Sequence, residues 1–154
     1  MILDELTEFC DATALHTDAA DMKLVGDVID LASTTVAPTT RDMGAGSRPK
    51  YLVIQVDTAI TSAGACTVKF GLYSDAQAAI AVDGSATVHL ETAAIAKANL
   101  TAGKVVYAGP IPAGDYERYL GICATVGTTK ADTGKINAFI TEDIAKWKAL
   151  PDAL

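Results

Sequence analysis

The segment Pro110-Ile-Pro-Ala-Gly-Asp-Tyr-Glu-Arg-Tyr-Leu-Gly-Ile122 is a turn rich in Pro and Gly that leads directly into an apolar run. Turn residues of this kind, followed by aromatic and β-branched residues, are typical of a strand that is entered from a tight connection. Short apolar runs bounded by Gly, Pro, Asp or Thr recur throughout the second half of the chain. The pattern therefore indicates an all-β body.

Eight runs of the sequence fit β-strands, and Tyr51–Asp57 is the clearest because its apolar residues fall on one face at period two. The run Cys66–Tyr73 alternates in the same way, and the short turn-like segment before it predicts that the two runs pair as a hairpin. The number and spacing of the runs predict a sandwich or a barrel. The other six runs are Leu6–Cys10, Val25–Leu31, Ala86–Glu91, Lys104–Ala108, Tyr119–Val126 and Lys135–Thr141.

Four segments interrupt the strand pattern. Two of them, Ala76–Ile80 and Thr92–Leu100, are Ala-rich and predict short helical connections, the second of which Thr92 would cap. The segment Ala32–Lys50 has no periodicity and predicts a long loop or arm. The segment Glu142–Leu150 predicts about two helical turns before a proline.

A length of 154 residues suits one domain with its own hydrophobic core. We expect a β-sandwich domain over residues 1–141, with residues 32–50 as a long loop or arm, and a C-terminal tail over residues 142–154. The N-terminal residues are acidic where a secretory signal is basic. We therefore expect a chain that is made inside the cell and is not processed.

Charge and hydropathy narrow the choice of partners. The formal net charge of -7 repels a phosphate backbone, so we expect no nucleic-acid partner. The longest apolar runs fall far below the roughly 20 residues that cross a bilayer, so we expect no membrane partner. Three cysteines cannot all pair within one chain, and we interpret Cys10, Cys66 and Cys123 as reduced and packed like small apolar residues.

The sequence contains no recognised catalytic or metal-binding motif, so we expect no enzymatic activity, no catalytic residue, no metal and no cofactor. Carboxylates surround His16 between Asp11 and Asp21, but their spacing predicts a solvated acidic loop rather than a metal site. His89 and Glu91 resemble part of the metal-binding set of cupins, yet the further histidines of that set are missing. We interpret both as outward residues of an edge or surface strand.

A small basic cluster in the long segment is the first candidate for a protein interface. Arg41, Arg48 and Lys50 lie close together in the sequence of an otherwise acidic protein. They either bind acidic groups on another chain, or are solvated or paired with the neighbouring Asp42 of their own chain.

The C-terminal tail is the second candidate interface. It places Ile144, Trp147 and Leu150 at helical spacing, and Trp147 is the only tryptophan of the chain. These residues either anchor the tail on a partner or dock back onto the β-body of their own chain.

Four segments together resemble the cement, or decoration, proteins of the Bordetella-phage type, and the similarity extends to about Thr141. The resemblance lies in the order of the segments, since each alone is short and carries no catalytic residue. They are Met1-Ile-Leu-Asp4, Gly26-Asp-Val-Ile-Asp-Leu31, Tyr51-Leu-Val-Ile-Gln-Val-Asp57 and the segment from Pro110 to Ile122.

The resemblance implies an antiparallel β-sandwich of jelly-roll type that forms a small homo-oligomer, a dimer or a trimer, on the outer surface of a phage head. It also implies that the protein clamps neighbouring subunits of the major capsid protein. Within residues 110–122 we expect Arg118 to pair locally and Tyr119 to pack. The alternative is a carbohydrate-binding or host-attachment β-sandwich module, although few aromatic residues are present to stack on sugars.

Overall fold

A computed structural model describes residues 5–18, 21–31, 49–80 and 84–144 of the chain. The regular elements of these residues are nearly all β-strands, with two short 3-10 helices at Glu5–Thr7 and Lys97–Asn99. The strands are β1 (Glu8–Ala14), β2 (Asp21–Leu24), β3 (Ile29–Asp30), β4 (Tyr51–Thr61), β5 (Thr67–Asp75), β6 (Thr87–Glu91), β7 (Ile95–Ala96), β8 (Val105–Pro110), β9 (Tyr119–Gly127) and β10 (Thr133–Thr141).

The strands form two antiparallel sheets that pack as a sandwich. Sheet A has the order β1-β10-β4-β8. Sheet B has the order β2-β9-β5-β6, with β3 also paired to β9 and β7 also paired to β5. The strand order is consistent with the jelly-roll connectivity that the family resemblance implies. The predicted antiparallel β-sandwich is therefore confirmed.

The core lies between the two sheets and is built from alternate residues of their strands. Leu52, Ile54 and Val56 of β4 face into it, as the period-two pattern predicts. They meet the inward residues of β5, of which Phe70 is fully buried. Burial of these apolar side chains is the main force that holds the two sheets together.

The predicted hairpin of the Tyr51 and Cys66 runs is wrong. β4 pairs with β10 and β8 in sheet A, whereas β5 pairs with β9, β6 and β7 in sheet B. The connection between them crosses from one sheet to the other, and the Ser62 hydroxyl fixes it by donating to the Lys130 carbonyl at 2.7 Å. Both runs have one apolar face because these faces meet across the core, not because the strands are neighbours.

The predicted strand Val25–Leu31 is only partly correct. The chain pairs with β9 through β2 and β3, and it bends away from the sheet between them. Gly26 makes the bend with a φ of 78°. A Cβ atom there would lie 2.2 Å from the carbonyl oxygen of Phe9, which also accepts the Asp27 amide at 2.8 Å. The close approach of two backbones therefore requires a glycine.

Of the two Ala-rich segments predicted to be short helical connections, the first is not helical where the structure describes it and the second contains a single 3-10 turn. Residues 76–79 are a series of bends. Residues 92–100 contain β7 and the second 3-10 helix, and the Thr92 hydroxyl accepts the Phe70 amide at 3.0 Å instead of capping a helix. The first strand likewise begins at Glu8 rather than at Leu6, after the first 3-10 helix.

A smaller apolar cluster covers the outer face of sheet B. Tyr73 and Cys123 are buried there under Ile80, and Leu24 packs alongside. A Cβ atom at Gly121 would lie 2.5 Å from the Ile80 side chain and 2.6 Å from that of Leu24. Glycine at this position therefore lets the connection between β5 and β6 lie close to the sheet.

The three cysteines are free and buried, as the sequence predicts. Burial raises the pKa of both Cys10 and Cys123 to about 12, so neither thiol is reactive at neutral pH. Among the described residues, the structure contains no helix of the length and apolar character that crossing a membrane requires.

Replacement of Phe70 by alanine tests the inter-sheet core. Because Phe70 is fully buried, Phe70→Ala should lower the free energy of unfolding by about 3–5 kcal/mol in chemical denaturation. Val88→Ala is the control, since Val88 is 54% exposed, and its effect should stay within about 0.5 kcal/mol. Losses of equal size in the two variants would contradict this description of the core.

Candidate interaction surface at one end of the sandwich

Several chain segments meet at one end of the sandwich, which we call the clamp end. In sheet A, Tyr51 at the start of β4 pairs with Thr141 at the end of β10 and with Pro110 at the end of β8. In sheet B, Tyr119 at the start of β9 pairs with Asp75 and Asp30. The short connection 62–66 joins the end of β4 to the start of β5. The start of β4 and the end of β5, with the residues paired to them, therefore both lie at the other end of the sandwich.

The segment 111–118 joins the two sheets at the clamp end. Its first residue, Ile111, donates its amide to the carbonyl of Lys50 at 2.9 Å. Near its other end, Glu117 donates its amide to the hydroxyl oxygen of Ser74 at 3.1 Å. The segment is therefore tied to sheet A through Lys50 and to sheet B through Ser74.

A Ser–His pair forms the centre of this connection. The hydroxyl oxygen of Ser74 lies 2.7 Å from Nε2 of His89. Burial lowers the pKa of His89, and the charge of Glu117 opposes this shift. A neutral imidazole suits the pair, because Nε2 can then accept a hydrogen bond from the Ser74 hydroxyl. The Ser74 oxygen in turn accepts a hydrogen bond from the Glu117 amide. Ser74 is fully buried, so it is closed to a substrate and acts structurally.

Tyr116 packs against this pair. Its ring lies 4.0 Å from the His89 ring, centroid to centroid, and its hydroxyl donates to the carbonyl of Pro112. The Thr87 hydroxyl completes the network by donating to Glu117 at 2.6 Å. These contacts link β5, β6 and the segment 111–118 through side chains that are far apart in the sequence.

An irregularity in β6 explains why His89 reaches this network. The register between β5 and β6 shifts between the pairs Leu72↔Leu90 and Tyr73↔Val88, which leaves His89 as an extra residue. Such bulges re-aim a side chain. The interpretation of His89 as an outward residue is therefore wrong, although β6 is an edge strand as expected.

Glu91 lies in a different environment from His89. Its carboxylate accepts hydrogen bonds from Lys69 and from the Tyr73 hydroxyl, both at 3.1 Å. Burial and this carboxylate raise the pKa of Tyr73. His89 and Glu91 thus have separate partners and do not form a cupin-like pair.

Arg118 and Tyr119 behave as the sequence predicts. The guanidinium of Arg118 binds both carboxylate oxygens of Asp30, at 3.0 Å and 2.9 Å. It also lies 4.8 Å from the centre of the Tyr119 ring. The pair joins the end of β3 to the start of β9, next to the hydrogen bond from the Leu31 amide to the Arg118 carbonyl. Arg118 therefore stabilises the clamp end locally.

Asp75 holds the connection between β5 and β6. Its buried carboxylate accepts the amide of Gln77 at 3.0 Å and the hydroxyl of Ser85 at 3.3 Å. The two contacts fix the beginning and the end of this connection against the end of β5.

The structure brings two of the predicted interface residues to the clamp end. Lys50 and Ile144 are both half-buried, and they flank the paired residues Tyr51 and Thr141. Asp143 donates its amide to the Thr141 hydroxyl at 3.2 Å and so turns the chain after β10. The remaining four predicted residues, Arg41, Arg48, Trp147 and Leu150, lie outside the described residues, as does most of the predicted tail helix.

The described ranges 5–18, 21–31, 49–80 and 84–144 contain no group of three or more His, Cys, Asp or Glu side chains placed to hold a metal. The carboxylates of Asp18 and Asp21 near His16 both pair with the Lys23 ammonium. Nε2 of His16 lies 3.0 Å from the carbonyl of Ala124.

Sequence reasoning missed the contacts of Ser74, His89 and Tyr116. Ser74 stands at an inward position of β5, where the pattern leads one to expect an apolar residue. A polar residue at such a position needs a buried hydrogen-bond partner. The inward position of Ser74 is therefore the one feature of the sequence that could have indicated these contacts.

The family model Bbp16 matches residues 9–140, from the second residue of β1 to the last but one of β10. The chain belongs to the Bbp16 family. Bbp16 is a Bordetella phage protein family, and membership is consistent with a virion structural role. No curated protein matches the chain.

The Bbp16 match covers the strands of both sheets and the whole segment 111–118. Apart from residues 141–144, the described residues of the clamp end are thus part of the region that the chain shares with the family. Residues 141–154 lie outside the match.

The pH dependence of stability tests the neutral state of His89. Because its pKa is lowered from the ordinary value of 6.5, the unfolded chain binds a proton at a higher pH than the folded chain. Stability should therefore fall as the pH drops through the unfolded pKa towards the lower folded pKa. His89→Gln removes this titration, so its unfolding free energy should fall less between neutral and mildly acidic pH.

The test compares slopes of unfolding free energy against pH, because the variant also changes stability at neutral pH. Proton NMR of the imidazole resonances provides the folded pKa of His89 directly. Equal slopes for the variant and the wild type, or a folded pKa above 6.5, would contradict the neutral pair.

Proposed function

We propose that this protein is a structural virion protein that binds the outer surface of a phage head and stabilises it by bridging major capsid protein subunits. The observation that supports this function most strongly is the Bbp16 match over the strands of the sandwich. The proposed partners are the major capsid protein and further copies of the same chain, as a dimer or a trimer. The role involves no enzymatic activity, cofactor, nucleic acid or membrane.

The rigid clamp end supports this function physically. Binding residues commonly lie on loops that a rigid scaffold positions. Here the segment 111–118 is fixed to both sheets through Lys50 and Ser74, and the Arg118–Asp30 pair holds the start of β9. We propose that this end faces the capsid, with its backbone already ordered before binding, so that little conformational entropy is lost.

Charge supports the same orientation. The protein has a net charge of -7, yet the segment 32–50 carries Arg41, Arg48 and Lys50. This segment leaves β3 beside Arg118 and returns to β4 at Lys50, so both of its ends are attached to the clamp end. A local basic group on an acidic protein favours an acidic patch on the partner and disfavours other orientations.

Mass action explains how such binding stabilises a head. A protein that binds only the assembled shell shifts the equilibrium towards assembly. Contacts from several linked copies multiply into avidity even where each contact is weak. Bridging of neighbouring subunits therefore needs only complementary surfaces.

Co-sedimentation tests the proposed function. The purified protein is mixed with cognate phage heads that lack it, before and after head expansion, and bound copies are counted per capsid subunit. Saturable binding at a fixed ratio is expected. Absence of binding to both forms of the head would contradict the function, and glycan arrays would then test the host-attachment alternative.

Charge reversal tests the orientation of the bound protein. The double variant Arg41→Glu with Arg48→Glu should weaken head binding severalfold and alter its salt dependence. The matched control reverses Lys104 and Lys130, which change the net charge equally at the opposite end of the sandwich. Equal weakening by the two double variants would show that only net charge matters and would contradict the proposed orientation.

A further inference from the structure

The two central strands of sheet A are buried on both of their faces. Leu52 to Val56 of β4 and Ala138 to Thr141 of β10 are all buried. Strands that are covered on both faces show such continuous burial, whereas strands with one solvated face alternate. The core covers only one of these two faces.

The second face is identified by the register of the sheet. Val53 pairs directly with Phe139, and directly paired residues share a face. Val53 is 0% exposed and Phe139 is 2% exposed, yet neither belongs to the core between the sheets. These two residues, together with the buried Gln55 and Thr141, define what we call the outer patch of sheet A.

The cover of the outer patch lies over β4 and β10 rather than over the edge strand. Ala108 of β8 pairs with Val53 on the same face, but it is exposed. The first 3-10 helix contacts β10, but its apolar residue Leu6 is 79% exposed and is not inserted into the patch. A further apolar segment of the same chain is therefore needed above β4 and β10.

The C-terminal segment has the position and the chemistry for this cover. It leaves β10 immediately after Thr141, at the border of the patch, and Ile144 is already half-buried. Trp147 and Leu150 follow at intervals of three residues. At a rise of about 1.5 Å per residue, seven residues in helical form would span about 9 Å. This is close to two strand spacings of about 4.8 Å, so a segment of that length is long enough to lie across both β4 and β10.

We propose that the outer patch of sheet A is the docking site of the chain's own C-terminal segment, residues 145–154, with Trp147 as the main contact. This docking assigns the tail to the body of its own chain and leaves the clamp end for the capsid. It is independent of the proposed function, because it concerns the isolated protein and needs no phage head.

Fluorescence of Trp147 tests this docking, because the chain contains no other tryptophan. The emission of the folded full-length protein should be blue-shifted and poorly quenched by acrylamide compared with the protein in denaturant. Val53→Asp should shift the emission to the red and raise the quenching constant severalfold. The matched control, Val88→Asp, places the same charge on sheet B at a residue that is 54% exposed, and it should leave the emission unchanged.

A second variant keeps the test valid if Val53→Asp fails to fold. Truncation after Ile144 should preserve the far-UV circular dichroism of the body and increase the binding of an apolar dye to the uncovered patch. Equal quenching of Trp147 in the native and denatured wild type would overturn the proposal. Quenching that increases when the protein is diluted would also overturn it, since the tail would then dock on a second copy.

Discussion

The uninterrupted pairing of β5 with β9 is the constraint on which the rest of the structure depends. It runs from Thr67↔Gly127 to Asp75↔Tyr119 without a register shift. A slip of one residue would turn the core residues Phe70 and Leu72 to the outer face, so burial strongly specifies the register. The same register places Ser74 and Asp75 opposite the start of β9. The clamp end is thus a direct result of how these two central strands align.

Much of the sandwich could be predicted from the sequence, because apolar residues at period two indicate which face of a strand lies in the core. Leu52, Ile54 and Val56 face the core as their spacing predicts. The pattern identifies faces but not neighbours, which is why the expected hairpin failed. A connection that crosses between sheets and a hairpin turn use the same small and polar residues, and only the contacts made by Ser62 distinguish them.

The interaction surface could be predicted only where its contacts are local. Arg118 and Tyr119 are adjacent, so their packing was foreseeable, although the partner Asp30 was not. Ser74, His89 and Tyr116 meet through strand pairing and a bulge, which no short motif encodes. Thr92 shows the opposite error, because its hydroxyl has the chemistry of a helix cap but binds the Phe70 amide of a neighbouring strand. Tertiary contacts decided between the two uses of that side chain.

The proposed capsid-binding role gives these features a common purpose. Sheet packing and the hydrogen bonds of Ser74 keep the clamp end ordered, and Leu31 and Lys50, which border the basic segment in the sequence, both lie there. Electron cryomicroscopy of heads carrying the bound protein tests this most directly. We expect density for the sandwich outside the shell, with residues 110–119 facing a boundary between capsid subunits. Density elsewhere in the virion, or a sandwich whose opposite end faces the shell, would contradict it.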